Sequence, residues 1–521
     1  MVVLTNHAKE NAMKDFVERH RERISGVIMC FDRLIFKGYL SLGWDGQMEK
    51  FLQYKGVLIK DFGRFAKQQS HRLKLHAQDT ARRHDRPYVY LAKKTRKDDL
   101  ARKIAQRDNV EKGLICVLAT VEPCRTFKMV GGQGRPRLVP ATRSSLCVYY
   151  YYQDPQFGFM HVRLQTWLPF TIQIYLNGHE ILAKKLQKHG IGYRQEDNAF
   201  LWIEDCPRAQ RLADRIVRRK WHRVFSSFAG RVNPLLNDLL RWNDYYWVTD
   251  QAELATDVMF HSPAALHSLY EKMLEHAMRH FGAEDVMTFL GRKLHASFAG
   301  EIVGNVKRRW PGARIKHRMK ENWIKMYDKH GSVLRVETVI NQPREFKVRR
   351  QGIRGGQEVL GWFPMAKGVA NLRHYLEVSK ASNARYLQAL SVAEDPKEAV
   401  KELRRFARPA RRKGRSYRGF NPALLEDAEL FAALMRGEHT IHGFRNADVR
   451  RQLFKPTRDK AKQRRRSNRV SRLLKRLHVH GLIAKIPRSR RWRVSKKGLA
   501  ILPALLLLHR HDYPAAFAEA A

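Results

Sequence analysis

Two acids stand where short apolar runs stop. Asp32 follows Gly26 to Phe31, and Glu122 follows "GLICVLATV", Gly113 to Val121. A carboxylate at the end of a buried strand is a hard oxygen ligand, suited to Mg²⁺ or Mn²⁺. A few such groups gathered at one point hold one or two divalent ions. Those ions activate a water or hydroxyl and stabilise the leaving oxygen of a phosphodiester. Asp32 and Glu122 are therefore candidate metal ligands and catalytic groups. A third ligand is open among Asp197, Asp250, Glu253 and Asp257, with Asp257 as the working choice. The competing reading is structural: Asp32 pairs with a neighbouring base such as Arg33, and Glu122, ahead of Pro123, marks a turn.

A third acid lies in "WIKMYDKHGSVLRVETVI", which reads as strand, turn at His330 and Gly331, strand. With the glycine-containing "TFLGRKL" before it, this stretch resembles the rolling-circle replication initiators of plasmids and filamentous phages. Tyr327, Asp328, Lys329, Arg335 and Glu337 match their Tyr-Asp-Lys, turn, Arg-x-Glu hairpin. The resemblance implies Glu337 as a catalytic metal ligand and a tyrosine as DNA nucleophile, although no particular tyrosine can be assigned. Lys329 and Arg335 are also salt-bridge partners that would explain Asp328 and Glu337 without catalysis. Carboxylates displayed at strand ends are similar to the arrangement by which ribonuclease-H-like nucleases and transposases hold two ions.

The densest positive charge falls at Arg445 to Lys497, with 21 Lys and Arg against Asp448 and Asp459. Leu424, Leu425, Leu430, Phe431 and Leu434 recur at helical spacing, and that helix should end near Gly437. Asn446 is placed to cap a second helix, Ala447 to Phe454, stopped by Pro456. A third helix, Asn468 to His480, buries Val470, Leu473, Leu474 and Leu477. Arg465, Arg466, Arg469, Arg472, Lys475 and Arg476 occupy its other faces or lie just ahead of it. A hairpin follows, with Leu482 to Ile486 and Trp492 to Val494 as strands and Arg488, Arg490, Arg491 and Arg493 at or near its tip. "VSRLLKRLHVHGLIAKIPRSRRWRVSKKGLAIL" resembles the MarR-type winged helix. That resemblance implies a third helix in a major groove and a wing on phosphate or a minor groove. His478 and His480 lie two apart on a helix and point to different faces, which disfavours a metal there.

The whole chain carries +50 over 521 residues, with a pI near 10.5. Taking away the +19 of Arg445 to Lys497 leaves +31, so the rest is basic in its own right. Such a field binds polyanions and points away from enzymes of small metabolites. Five cysteines without close pairing read as buried thiols. With no signal-peptide pattern and no membrane-length apolar run, the cytoplasm is the expected location. No phosphate-binding loop, dinucleotide fingerprint or zinc motif appears.

Positioning these residues requires an α+β, multidomain chain: a mixed-sheet body with helices, then a C-terminal winged helix-turn-helix. The expected divisions are 1–145 (α/β), 146–400 (α+β with β-hairpins), a basic linker 401–420, and 421–521. Helices are expected over Asn11–Ile24, Gln47–Tyr54, Phe62–Arg83, Gly178–Lys188, Arg208–Arg218, Ala264–Phe281 and within Met365–Leu390. "LCVYYYY" and "FMHVRLQTWL", joined by Asp154 to Gly158, read as a hairpin. Its tyrosines, with Trp167 and Phe170, serve either base stacking or the core. The functional expectation is a DNA-processing protein of a mobile element, transposase-like or replication-initiator-like, with Mg²⁺ or Mn²⁺ for cleavage or transfer. Two alternatives are a non-enzymatic transcriptional regulator and an RNA-binding component of a ribonucleoprotein.

Overall fold

The computed structural model describes residues 13, 15–507 and 509, apart from 93–94, 132–135, 242, 293–299, 309–311, 392–406, 413, 422–423, 437–438, 440–442 and 488. It is an α+β chain. Its strands are β1 Ile24–Tyr39, β2 Tyr88–Tyr90, β3 Gly113–Val130, β4 Arg137–Asp154, β5 Gly158–Gln165, β6 Ile172–Asn177, β7 Tyr193–Glu196, β8 Ala199–Ile203, β9 Tyr246–Phe260 and β10 Ile302–Arg308. They continue with β11 Ala313–Met319, β12 Asn322–Lys329, β13 Val333–Ile340, β14 Lys347–Arg354, β15 Gln357–Pro364, β16 Ala410–Arg412, β17 Arg415–Tyr417, β18 Ile483–Lys485 and β19 Trp492–Val494. Eleven form one sheet in the order β10-β11-β12-β13-β9-β1-β6-β5-β4-β3-β2.

The sheet is mixed, as expected: β2 runs parallel to β3, whereas β3–β4, β4–β5, β5–β6 and β6–β1 are antiparallel. Two strands differ from the sequence reading. β1 does not stop at Asp32 but continues to Tyr39, and β3 continues past Glu122 to Val130. Both acids therefore sit within strands. In each case the ladder continues because a polar side chain on one face leaves the backbone free to pair.

The helices Gln47–Tyr54, Phe62–Arg83 and Gly178–Lys188 have the expected bounds. The β4–β5 turn is held by Asp154 Oδ1, which accepts from the amides of Gln156 at 2.8 Å and Phe157 at 3.0 Å. Tyr149, Tyr150, Tyr151 and Phe170 are buried and belong to the core, so they are not an exposed stacking surface.

The chain divides into two compact units, each assembled from separated stretches. One comprises Met1–Val27, Asp257–Thr338 and Val378–Ala521, and the other Ile28–Thr256 and Val339–Glu377. The division expected after residue 145 lies inside β4, and the one after 400 lies outside the described residues. In the first unit, Leu269, Met273, Phe289, Ile324, Val336 and Tyr386 help form one core. In the second, Ile115, Cys116, Leu118 and Tyr151 pack with Ala101 and Ile104 of the helix Lys97–Arg107.

The C-terminal stretch has its own core, including Phe431, Leu434, Val449, Val470, Leu474, Leu477, Ile483 and Leu502. It comprises helices Leu425–Leu434, Asn446–Leu453 and Lys460–Val479, the antiparallel β18–β19 hairpin, and helix Lys496–Leu507. The long helix begins eight residues before Asn468 because Asp459 caps it, accepting from the amides of Ala461 and Lys462. Arg445, not Asn446, occupies the cap position of the preceding helix, where its amide donates to Asp448. Residues 410–420, expected as linker, carry the β16–β17 hairpin and bury Phe420 in this core. Residues 401–406 of the expected linker lie outside the described residues. Among the described residues no helix is long and apolar enough to cross a membrane.

Candidate metal centre and nucleic-acid interface

Asp32 is buried in the middle of β1. Asn198 Nδ2 donates to its Oδ1 at 2.6 Å, and His179 Nδ1 lies 3.4 Å from the same oxygen. His179 is held by the start of the helix Gly178–Lys188. There the Asn177 side chain caps the helix, accepting from the amides of His179 at 2.8 Å and Glu180 at 3.3 Å. Only glycine fits at the next position. A Cβ on Gly178 would stand 2.1 Å from the Phe31 carbonyl oxygen. Asp32 is thus presented by β1 against a tightly apposed helix start, with Arg33 paired in register to Asn177.

Glu337 lies on β13, nearly inaccessible to solvent. Lys325 Nζ donates to its Oε1 at 2.8 Å and the Tyr327 hydroxyl to its Oε2 at 2.8 Å, both from β12. The salt bridge expected to account for this acid therefore exists, though its cation is Lys325. Glu253 is buried on β9 and accepts from Gln251 Nε2 at 2.7 Å. One carboxylate oxygen of Asp32 and one of Glu253, both in the second unit, lie within 4.8 Å of each other. Two buried carboxylate oxygens at that spacing are the donor type that a hard divalent cation takes. Of this pair Asp32 was a sequence candidate and Glu253 one of four open choices; Glu337, also a candidate, belongs to the first unit.

Glu122 and Asp257 are not in this group. Glu122 sits in β3 with Lys97 Nζ at 2.9 Å, Arg163 Nε at 3.0 Å and the Tyr149 hydroxyl donating at 2.7 Å and 2.9 Å. Burial disfavours its charge, but the hydrogen bonds from Lys97 and Tyr149 and the Arg163 charge outweigh that and hold the carboxyl below its usual range. Arg163 also reaches Cys147 Sγ at 3.0 Å and Cys124 Sγ at 3.3 Å. Glu122 is thereby the anion of a structural cluster. Asp257 is chelated by Arg335, whose Nε donates to Oδ1 at 2.6 Å and whose Nη2 donates to Oδ2 at 2.7 Å. A planar guanidinium occupying both oxygens leaves little for a metal.

The basic helix separates its charges by role. Arg465, Asn468, Arg472 and Lys475 recur at steps of three and four and form one exposed stripe, opposite buried Val470, Leu474 and Leu477. Arg466, Arg469 and Arg476 are engaged in contacts within this stretch. Arg476 makes two hydrogen bonds to Asp427, at 2.9 Å and 3.1 Å, and its guanidinium lies 3.8 Å from the Phe420 ring centroid. Arg469 pairs with Glu426 at 3.1 Å, and Arg466 donates to the Lys455 carbonyl at 2.6 Å. Arg490 and Arg493 are exposed, Arg491 donates to the Gly443 carbonyl at 3.2 Å, and Arg488 lies outside the described residues. Asn446 ties two helices together, donating to the Ser467 carbonyl at 2.8 Å and to Ser471 Oγ at 2.9 Å. His478 and His480 each meet a backbone carbonyl, of Ile483 and Arg418.

Comparison with protein-family models, with curated proteins and with solved structures found no match to this chain.

Proposed function

We propose that this chain is a nucleic-acid-processing protein of a mobile element that binds DNA through a C-terminal winged helix and cleaves or transfers phosphodiesters with Mg²⁺ or Mn²⁺. The observation that carries the reading is the exposed stripe Arg465, Asn468, Arg472 and Lys475 on the long basic helix. Its charges face solvent, whereas Arg466, Arg469 and Arg476 are spent on internal contacts. Arginine and asparagine are also the side chains that make bidentate contacts to guanine and adenine edges. The net charge of +50 supports a polyanionic partner for the whole chain.

The catalytic half is supported by Asp32 and Glu253, two adjacent buried carboxylates of one unit. Their oxygens would hold the ion, and the ion would supply Lewis-acid activation of water or a hydroxyl. Asn198 and His179 would orient the Asp32 carboxylate that holds it.

The test is incubation of the full chain with Mn²⁺ and labelled single- and double-stranded DNA. The expected result is metal-dependent cleavage lost in Glu253→Gln and in Asp32→Asn but retained in Glu122→Gln. Duplex binding without cleavage under any divalent ion would replace this reading with a non-enzymatic regulator. Co-purification of one defined RNA, with weaker DNA binding, would replace it with a ribonucleoprotein component.

A further inference from the structure

The hairpin β14–β15 has two unlike faces. Its turn is Gly355 and Gly356, at φ of +61° and +81°, the backbone that a tight two-residue hairpin turn requires. Register pairs Val348 with Phe363, Arg350 with Gly361, Gly352 with Val359 and Arg354 with Gln357 on one face. There Phe363 lies over the two glycines: a Cβ on Gly352 would come within 2.8 Å of its ring. The guanidinium groups of Arg350 and Arg354 sit 5.5 Å and 5.8 Å from the same ring. That face is closed by its own side chains.

The other face pairs Lys347 with Pro364, Arg349 with Trp362, Gln351 with Leu360 and Ile353 with Glu358. Every one of these eight residues is exposed. Ile353 is 72% exposed, Leu360 62% and Trp362 39%. Three large apolar side chains adjoin on a ribbon that carries four cations, Lys347, Arg349, Arg350 and Arg354, against one acid, Glu358. Burying that surface is favourable, and its charge selects an anionic occupant with flat apolar faces. Unpaired bases on a phosphate backbone meet both requirements, since aromatic side chains stack any base while adjacent cations track the phosphates.

We propose that this face of β14–β15 is a docking platform for unpaired nucleic acid, with Trp362 stacking on a base, Leu360 and Ile353 supporting its neighbours, and Arg349 and Lys347 on the phosphates. The platform is distinct from the basic helix and rests on the nucleic-acid reading above. It assigns single-stranded contacts to the ribbon and leaves duplex contacts with the helix.

The experiment measures the anisotropy of labelled oligothymidylate and of a labelled duplex with three full-length proteins: wild type, I353S/L360S/W362A, and R465A/R472A/K475A. Because the three ribbon residues face solvent, their replacement should leave the melting temperature unchanged. The expected result is oligothymidylate binding weakened about five-fold or more in the ribbon variant, the lower end of the loss from removing one stacking partner. Its duplex binding should be unchanged, and the helix variant should lose duplex binding. Wild-type affinity for oligothymidylate in the ribbon variant would overturn the platform, and the nucleic-acid reading would then stand or fall on the helix variant. Loss of self-association in the ribbon variant with unchanged DNA binding would also overturn it, marking the face as a contact between copies. Failure of wild type to bind either probe would overturn both.

Discussion

Arg335 and Asp257 face each other from β13 and β9 as a two-bond ion pair in which both side chains are completely buried. Removing either partner leaves an uncompensated charge away from water, which costs about 3 to 5 kcal/mol. Arg335→Met should therefore lower the melting temperature sharply, and Asp257→Asn should do so too. Neither should alter Mn²⁺ affinity by itself in protein that remains folded. A D257N protein with wild-type stability but weakened metal binding would restore Asp257 to the metal centre.

Isothermal titration with Mn²⁺ separates ligands from neighbours. Glu253→Gln should abolish measurable binding, because one of two close carboxylate oxygens is lost. Glu122→Gln should bind as wild type does, while losing some stability from the Lys97 and Arg163 pairs. Equal loss of binding in both variants would contradict this assignment.

On the basic helix, Arg472 and Arg476 are one turn apart and should behave differently. Arg472→Ala should weaken duplex binding and lower the slope of log affinity against log salt by about one, as expected for one lost phosphate contact. Arg476→Ala should instead destabilise the C-terminal stretch, since it deletes the Asp427 pair and the contact with Phe420. A melting curve recorded beside each binding isotherm distinguishes the two effects.

Acid should destabilise the first unit through His317. Burial lowers its pKa from 6.5 to about 4, and its Nε2 lies 3.1 Å from the Tyr386 hydroxyl. The unfolded chain takes up this proton near pH 6.5 and the native chain only near 4. Stability is therefore full above about 6.5 and falls as the pH drops toward 4, by on the order of 3 kcal/mol for this group. Urea unfolding at about pH 7 and about pH 5 should show a steeper loss in wild type than in His317→Gln. Equal slopes would remove His317 from the acid response.

Local order was readable wherever one segment decides its own shape. The hairpin around His330 and Gly331 was legible because both residues take positive φ, 56° and 78°, the backbone that turn chemistry anticipates. The helix Phe62–Arg83 was legible from its apolar period. Sheet order was not, because β1 pairs with β6, which lies more than a hundred residues away, and nothing in either segment names its partner. The same limit governed the acids. Asp32 was visible as an acid at the end of an apolar run and Glu337 through the Tyr-Asp-Lys, turn, Arg-x-Glu resemblance, but a carboxylate's role depends on what faces it. For Glu122 those partners, Lys97, Tyr149 and Arg163, come from three other elements. Glu253 carried no local signal that ranked it above Asp250 or Asp257.

Gly178 has no functional group, yet its hydrogen is all that separates the helix start bearing His179 from the Phe31 carbonyl beside Asp32. Any side chain there would push that helix away from the strand and carry His179 off the carboxylate. In a saturation mutant library scored for function, Gly178 should consequently tolerate as little as Asp32 does. A scan restricted to chemically reactive residues would overlook it.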